Sequence, residues 1–409
     1  MTLAGMKLTF ACIAFALVAL TISAQPVSPI PEKIDFLVGP EVFPIFPWDI
    51  LPARQSAYEE ARECGFNLAG FVDPTNLDVV AKANMKCFVS DPTIAVRGEK
   101  LSDDEIAKRT KALADATANH PATFGYHVID EPAPELVPTV VKWTKSLQEA
   151  APDRVAYVNL FPDFAGAPSA EKWEKYLHSF VDEAKPKAFS YDGYSLLDNG
   201  TVRASYFSNL ETARKVSLDT HTPFWHVALA NSHFRYATPS AATFNFQIFT
   251  SLAYGVRGMG WFTYTGRDRG NYRNAAIDLF GHRTPTYDLL RDANLQLHRL
   301  APIITKLKSV NVFHHPDVPP GCQGIDTSKF LKEVKGDGPF CVGEFEDEQG
   351  RPAVLVVNRD LTQSTQFTIV AKTKSAVQRV SSLTGQTRPY GAEDNWLAPG
   401  AGILLLLHD

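Results

Sequence analysis

Asp130 and Glu131 stand side by side before Pro132, at the carboxyl end of the apolar run FGYHVI. Asp192 closes a second run, FSYD, ahead of Gly193 and Tyr194. Paired carboxyl groups are equipment for acid and base work: one, kept protonated, gives its proton to a leaving group while the other attacks or activates water. Glu131 is read as the general acid, because it has the longer reach and because Asp130 and Asp192 raise its pKa by like-charge repulsion. Asp192 is its best partner as base or nucleophile, with Asp130, Asp91 and Asp268 behind it. A plainer use stays open for each: Glu131 could cap the helix that follows, and Asp192-Gly193 could be a turn pair.

Other polar and aromatic residues also follow apolar runs, among them Trp48, Asp49, Asp73, Asp91, Asn159, Tyr194, His226, Asn231, Trp261 and Tyr264. Flat rings stack on the apolar faces of pyranoses, and polar groups bond their hydroxyls. Asp130, Trp48, Asp91, Asn159, Tyr194, His226, Trp261 and Tyr264 are therefore expected to bind a carbohydrate substrate. For His226, Trp261 and Tyr264 a place in the core is the competing reading.

The elements that must position these residues can be counted. Short apolar runs alternate with helical stretches from about residue 34 to residue 265: IDFLVG, FNLAGFV, MKCFVSD, TFGYHVIDEP, RVAYVNLFP, KAFSYDGY, PFWHVALAN and RGMGWFTYTG. Such alternation predicts parallel βαβ units, and this many of them predict an α/β fold of the (β/α)8 TIM-barrel class, closed by a helix over about 284–306. A barrel keeps its site at the carboxyl ends of its strands, where the residues above fall. On strand four, alternation sends Asp130 and Glu131 in different directions, so one alone aims into the cleft, and one of Tyr126 and His127 faces the interior. Ser102 with Glu105 forms a capping box. No glycine-rich dinucleotide fingerprint follows the first run.

After about residue 309 the texture changes to short strands between Gly, Pro and Asp turns, as in CVGEFEDEQGRPAVLVVNRD and GAGILLLLHD. The expected organisation is a signal peptide over 1–24, a barrel over 25–308 and a small all-β, sandwich-like domain over 309–409, whose simplest role is packing against the barrel.

FGYHVIDEP, FSYDGY and FTSLAYGVRGMGWFTYTG resemble the fourth, sixth and eighth strand segments of (β/α)8-barrel glycoside hydrolases, including the β-galactosidase-like ones, over about residues 34–305. The resemblance implies that Asp130, Glu131 and Pro132 stand where that superfamily has Asn-Glu-Pro, with Glu131 as the acid/base. It also implies a nucleophilic Glu after strand seven, and PFWHVALANSHF contains no acid. The second carboxyl group must then come from elsewhere, Asp192 first, and a sugar-binding barrel without catalysis becomes the rival function.

Composition narrows the field. With 45% hydrophobic and 21% charged residues, the chain of 409 can bury a large core. A net charge of -5 and scattered basic residues argue against a nucleic-acid partner. No cofactor is expected, and no metal, since no HxH follows strand one and no cysteine pair has CxxC spacing. Lys7, the apolar run Leu8 to Ile22 and the small pair Ser23-Ala24 read as a secretory signal, giving a secreted or periplasmic protein with no membrane anchor after cleavage. Cys64, Cys87, Cys322 and Cys341 would remain, and the polar segment between the last two predicts a disulfide joining them.

Overall fold

The computed structural model describes residues 43–98, 100–163 and 169–408, which belong to one compact unit. Eight parallel strands form one sheet: β1 Ile45–Pro47, β2 Leu68–Val72, β3 Lys86–Val89, β4 Thr123–Asp130, β5 Val155–Leu160, β6 Phe189–Asp192, β7 Phe224–Leu229 and β8 Met259–Phe262, with β1 bonded to β8. Between them run α1 Gln55–Glu63, α2 Leu77–Lys82, α3 Asp103–Thr117, α4 Val137–Ala150, α5 Ala170–Ala184, α6 Tyr206–Thr220 and α7 Ala241–Ala253, and α8 Pro285–Ile304 follows the last strand. The first barrel strand is thus IFP, a correction to the expected IDFLVG. That run and the signal segment lie outside the described residues. The correction moves Trp48 and Asp49 from a long loop to the immediate end of β1.

Backbone bonds complete the barrel where the sheet's two ends meet. Asn67 N–H donates to the Ile45 carbonyl and Phe71 N–H to that of Asp49, each at 3.1 Å. Between them Gly70 has φ +77°, and a Cβ there would stand 2.5 Å from the Asp49 carbonyl oxygen. Only glycine lets β2 come this close.

Helix starts follow their local chemistry. Ser102 Oγ accepts from Glu105 N–H at 3.2 Å, but the Glu105 carboxylate turns forward to Arg109 at 2.8 Å, so half of the expected box forms. Ser240 and Thr243 complete a reciprocal box on α7.

The barrel interior is filled by rings: Phe46, Trp48, Phe71, Phe88, Tyr157 and Trp225 form one buried cluster. Residues in between face the helices, so both faces of each strand are apolar, as a parallel sheet under helices requires. On β4 the pairing with β5 slips between His127 and Ile129. Val128 and Ile129 both join the outer core, and Asp130 regains the interior opposite Asn159. His127 faces inward, its ring 4.3 Å from that of Phe71, while the Tyr126 hydroxyl meets Thr117 of α3.

Antiparallel strands follow α8: β9 Lys308–His315, β10 Leu331–Gly336, β11 Phe340–Glu346, β12 Pro352–Asn358, β13 Thr365–Ala371, β14 Ala376–Val380, β15 Thr387–Pro389, β16 Trp396–Leu397 and β17 Gly402–His408. They form a six-stranded sheet in the order β15-β14-β17-β12-β11-β9 and a three-stranded sheet in the order β10-β13-β16. One buried cluster lies between the sheets. The other face of the larger sheet packs on α7, and Cys341, Phe345, Leu355 and Leu404 belong to the same core as the barrel. Glycines permit the contact: a Cβ on Gly343 would lie 2.3 Å from the Ala253 carbonyl oxygen, and one on Gly402 would lie 2.7 Å from the Phe249 ring.

The expected Cys322–Cys341 disulfide is corrected, since all four cysteines of the described residues are free thiols. Cys341 is buried in β11 opposite His314, and Cys322 Sγ is engaged by the Tyr254 hydroxyl at 3.6 Å. Among the described residues, no helix is long and apolar enough to cross a membrane.

Candidate active site

Asn159 organises the carboxyl end of the barrel. It pairs with Asp130 on β4 and with Ser190 on β6. Its Oδ1 accepts from the Ser190 hydroxyl at 2.9 Å, and Ser190 Oγ lies 3.0 Å from the Tyr157 hydroxyl. That bond fixes the amide, so its NH2 faces the carboxyl groups. Nδ2 donates to Asp130 Oδ1 at 3.1 Å and to Asp192 Oδ1 at 3.0 Å.

Glu131 joins them by leaving the strand abruptly. Its φ is +45°, a region that residues with a Cβ seldom occupy and that its surroundings must enforce. Its N–H donates to the Asn159 carbonyl at 2.8 Å. Arg97, from the loop after β3, donates to the Glu131 carbonyl at 3.0 Å and also to that of Asp130. Strict alternation therefore does not apply: Asp130 points inward to the Asn159 amide, and the left-handed residue brings Glu131 near enough to Asp192 for its charge to raise that group's pKa.

Burial and mutual repulsion set the charge state. Asp192 is 5% exposed, and burial, then Glu131 and Asp130, push its pKa far above the usual carboxylate range. Glu131 is raised by burial and by the Asp130 charge. Asp130 is raised by burial, in part offset by Asn159, Arg97 and Arg267. Burial thus favours the protonated form of all three carboxyl groups, and mutual repulsion adds to it at Glu131 and Asp192. Burial is deeper at Asp192 than at Glu131.

Two of the expected rings line this region. Trp48 lies in the interior cluster, 6.0 Å from His127. Tyr194 stacks on Phe262 at 5.3 Å, and burial and the three acids keep its hydroxyl neutral. Asp130, Glu131, Asp192, Asn159, Trp48 and Tyr194 thus gather at one end of the barrel.

Four expected site residues do not join them. Trp261 is buried on the helix side, its Nε1–H donating to Asn294 of α8 at 2.8 Å. Tyr264 packs against Phe66 and Tyr287, also toward the helices. His226 pairs with Tyr191 across β6–β7, stacks on it at 5.2 Å and bonds Ser251 of α7 at 2.8 Å. Register explains His226 and Trp261, because the interior positions at this height are Val227 and Gly260, whereas Tyr264 lies beyond the end of β8. Asp91 accepts from Thr93 N–H at 2.8 Å and from its hydroxyl, closing the turn after β3.

Two arginines enter the site without a signal in the sequence. Arg97 and Arg267 lie in loops, distant in the chain from the acids they offset. Asp49, now directly after β1, is 6% exposed and accepts from Thr265 N–H at 3.0 Å and from Arg267 at 3.3 Å. Burial lifts its pKa to about 6. His233, which burial and nearby arginines push down to about 4, bonds Asn231 at 3.0 Å, and Asn231 Nδ2 donates to the Thr263 hydroxyl at 2.6 Å. Among the described residues, no three His, Cys, Asp or Glu side chains are arranged to hold a metal ion.

No protein-family model matches the sequence, and no curated protein matches it. Solved structures do. A glycoside hydrolase superposes with a TM-score of 0.57 at 9% identity, over 90% of this chain and 92% of its own. A glycoside hydrolase family 5 structure from Bacteroides vulgatus ATCC 8482 gives 0.56 at 10% identity, over 90% and 89%. A β-galactosidase from the psychrophilic Marinomonas ef1 aligns at 0.49 and 10% identity, and there this chain spans 62% of the other's length. At such identities the likeness is one of fold, and the chain has the (β/α)8 barrel with a following β region that these glycoside hydrolases share.

Proposed function

We propose that this protein is a glycoside hydrolase that cleaves O-glycosidic bonds with Glu131 as general acid and Asp192 as its carboxylate partner. One observation carries the reading: Asp130 and Asp192, tied through Asn159, with Glu131 beside them, at the end of the barrel where this fold keeps its sites. Glu131, longer and better exposed, gives its proton to the leaving oxygen, and Asp192, whose anionic form is supported by the Asn159 N–H, attacks or activates water. Active-site hydrogen bonds of this kind commonly rearrange when substrate binds.

Export is part of the proposal. Lys7, the apolar run that follows and Ser23-Ala24 support a place outside the cytoplasm, where a glycan substrate would be met.

The test is reducing-sugar release from a panel of polysaccharides, with aryl glycosides in parallel. Glu131→Gln should lower turnover of unactivated substrate by about 100-fold or more, and that of a good leaving group by less, since little protonation is needed there. Asp192→Asn should depress both. Glycan binding without hydrolysis by the wild type would point instead to a non-catalytic sugar-binding barrel, a reading favoured by the absence of an acid from PFWHVALANSHF. Wild-type turnover by Glu131→Gln would remove Glu131 from the chemistry.

A further inference from the structure

Phe234 is 65% exposed although every neighbouring ring is packed. Its φ is +46°, a costly conformation for an aromatic residue. The side chain of Asn271 holds it there from both sides, accepting from the Phe234 N–H at 2.6 Å and donating to its carbonyl at 2.8 Å. Reciprocal backbone bonds between Ser232 and Arg273, both 2.9 Å, tie the loop after β7 to the loop after β8. The ring is thus presented to solvent by a braced support.

The support leads back to the carboxyl groups. Phe234 stands edge-on to His233 at 5.0 Å, and His233 stacks on Tyr272 at 4.6 Å with planes 13° apart. His233 meets Phe262 at 5.4 Å, and Phe262 stacks on Tyr194 beside Asp192. Around the exposed ring the surface is polar: Arg235, Arg269, Asn271 and Arg273 are all exposed. A lone ring rimmed by hydrogen-bonding groups lacks the contiguous apolar area of a protein-docking patch. It has the make-up of a surface that meets one flat apolar face and the hydroxyls around it.

We infer that Phe234 is a stacking platform for a sugar ring of a glycan chain, at a position beyond the unit held at the carboxyl groups. The inference rests on the glycosidase reading and deepens it: the substrate is an oligo- or polysaccharide long enough to reach the joined β7 and β8 loops.

The test is retardation in native gels cast with hydroxyethyl cellulose, arabinoxylan, galactomannan or arabinogalactan, using the whole protein and its Phe234→Ala and Phe234→Trp variants, with thermal melts as a check on folding. On the glycan that retards the wild type most, Phe234→Ala should bind about tenfold more weakly, the effect of one lost stacking contact, and Phe234→Trp should restore retardation. Equal retardation of wild type and Phe234→Ala would overturn the inference and leave the glycosidase reading standing. Hydrolysis of a glycan with no retardation of the wild type would also overturn it. If none of the four glycans is bound or hydrolysed, both readings fail together.

Discussion

Asp49 offers a measurement of what burial costs at the rim of the site. Its carboxyl is 6% exposed, and its pKa rises from 3.8 to about 6, chiefly through burial and despite Thr265 and Arg267. A carboxyl whose folded pKa lies above its unfolded value binds protons more tightly when folded, so stability falls as pH rises through the interval between the two and stays lowered above it. The difference amounts to roughly 3 kcal/mol. Asn has the same shape and no charge to bury, and its oxygen still accepts from Thr265 N–H. Asp49→Asn should therefore match the wild type near pH 3.5 and exceed it above pH 7 by up to roughly 3 kcal/mol, a rise of a few degrees in melting temperature for a chain of this size. Melts of both proteins across that range, read as the difference at each pH, give the result directly. A variant destabilised equally at every pH would refute the reasoning, because the bond to Arg267 would then outweigh burial.

Removing the bridge should matter more for chemistry: Asn159→Ala deprives Asp130 and Asp192 of an N–H that lowers both pKa values, so glycan turnover should fall and the acidic limb of its pH profile should move upward. No movement of that limb would place Asn159 outside the acid-base system. Trp261→Phe leaves Asn294 Oδ1 without its buried donor and should cost about 1–3 kcal/mol of stability, with glycan retardation in native gels unchanged. Loss of retardation would return Trp261 to the site. In folded protein a thiol reagent should label half-exposed Cys322 ahead of Cys64, Cys87 and Cys341, and in denaturant without reductant all four should react. A protected Cys322–Cys341 pair would show that a disulfide forms.

The barrel was legible from the sequence because its strands are short apolar runs regularly spaced by amphipathic helices, and seven of the eight expected runs hold the strands. The first was misplaced because IFP is a strand of three residues, too short for any periodicity, while IDFLVG reads better. Which face a strand residue takes was not legible. Both faces of these strands are buried, so no polar alternation marks the interior, and Trp261 and Trp48 look equally suitable until pairing puts one against α8 and the other in the barrel. Asp130 and Glu131 were legible as a pair, but their joint arrival at Asp192 depends on a register slip after His127 and a left-handed residue at Glu131. Neither has a sequence signature. Arg97 and Arg267 act through folded proximity alone.

α7 is buried along nearly its whole length, with Phe244, Phe246, Ile248, Phe249, Leu252 and Ala253 all inaccessible. A helix apolar on every side needs a second partner as much as a first, and here the partners are the barrel wall and the face of β11, β12 and β17. Residue 308 is thus a change of architecture in mid-core. A barrel severed there would turn Phe249 and Ala253 to water as an adhesive strip, and the detached β strands would expose the matching face. Gly343 and Gly402, which let the sheet settle on the helix, make that fit specific to this pair of surfaces. For anyone recombining such proteins, the transferable module is the whole chain from β1 to β17, since a barrel borrowed without its own sheet would arrive with one wall missing.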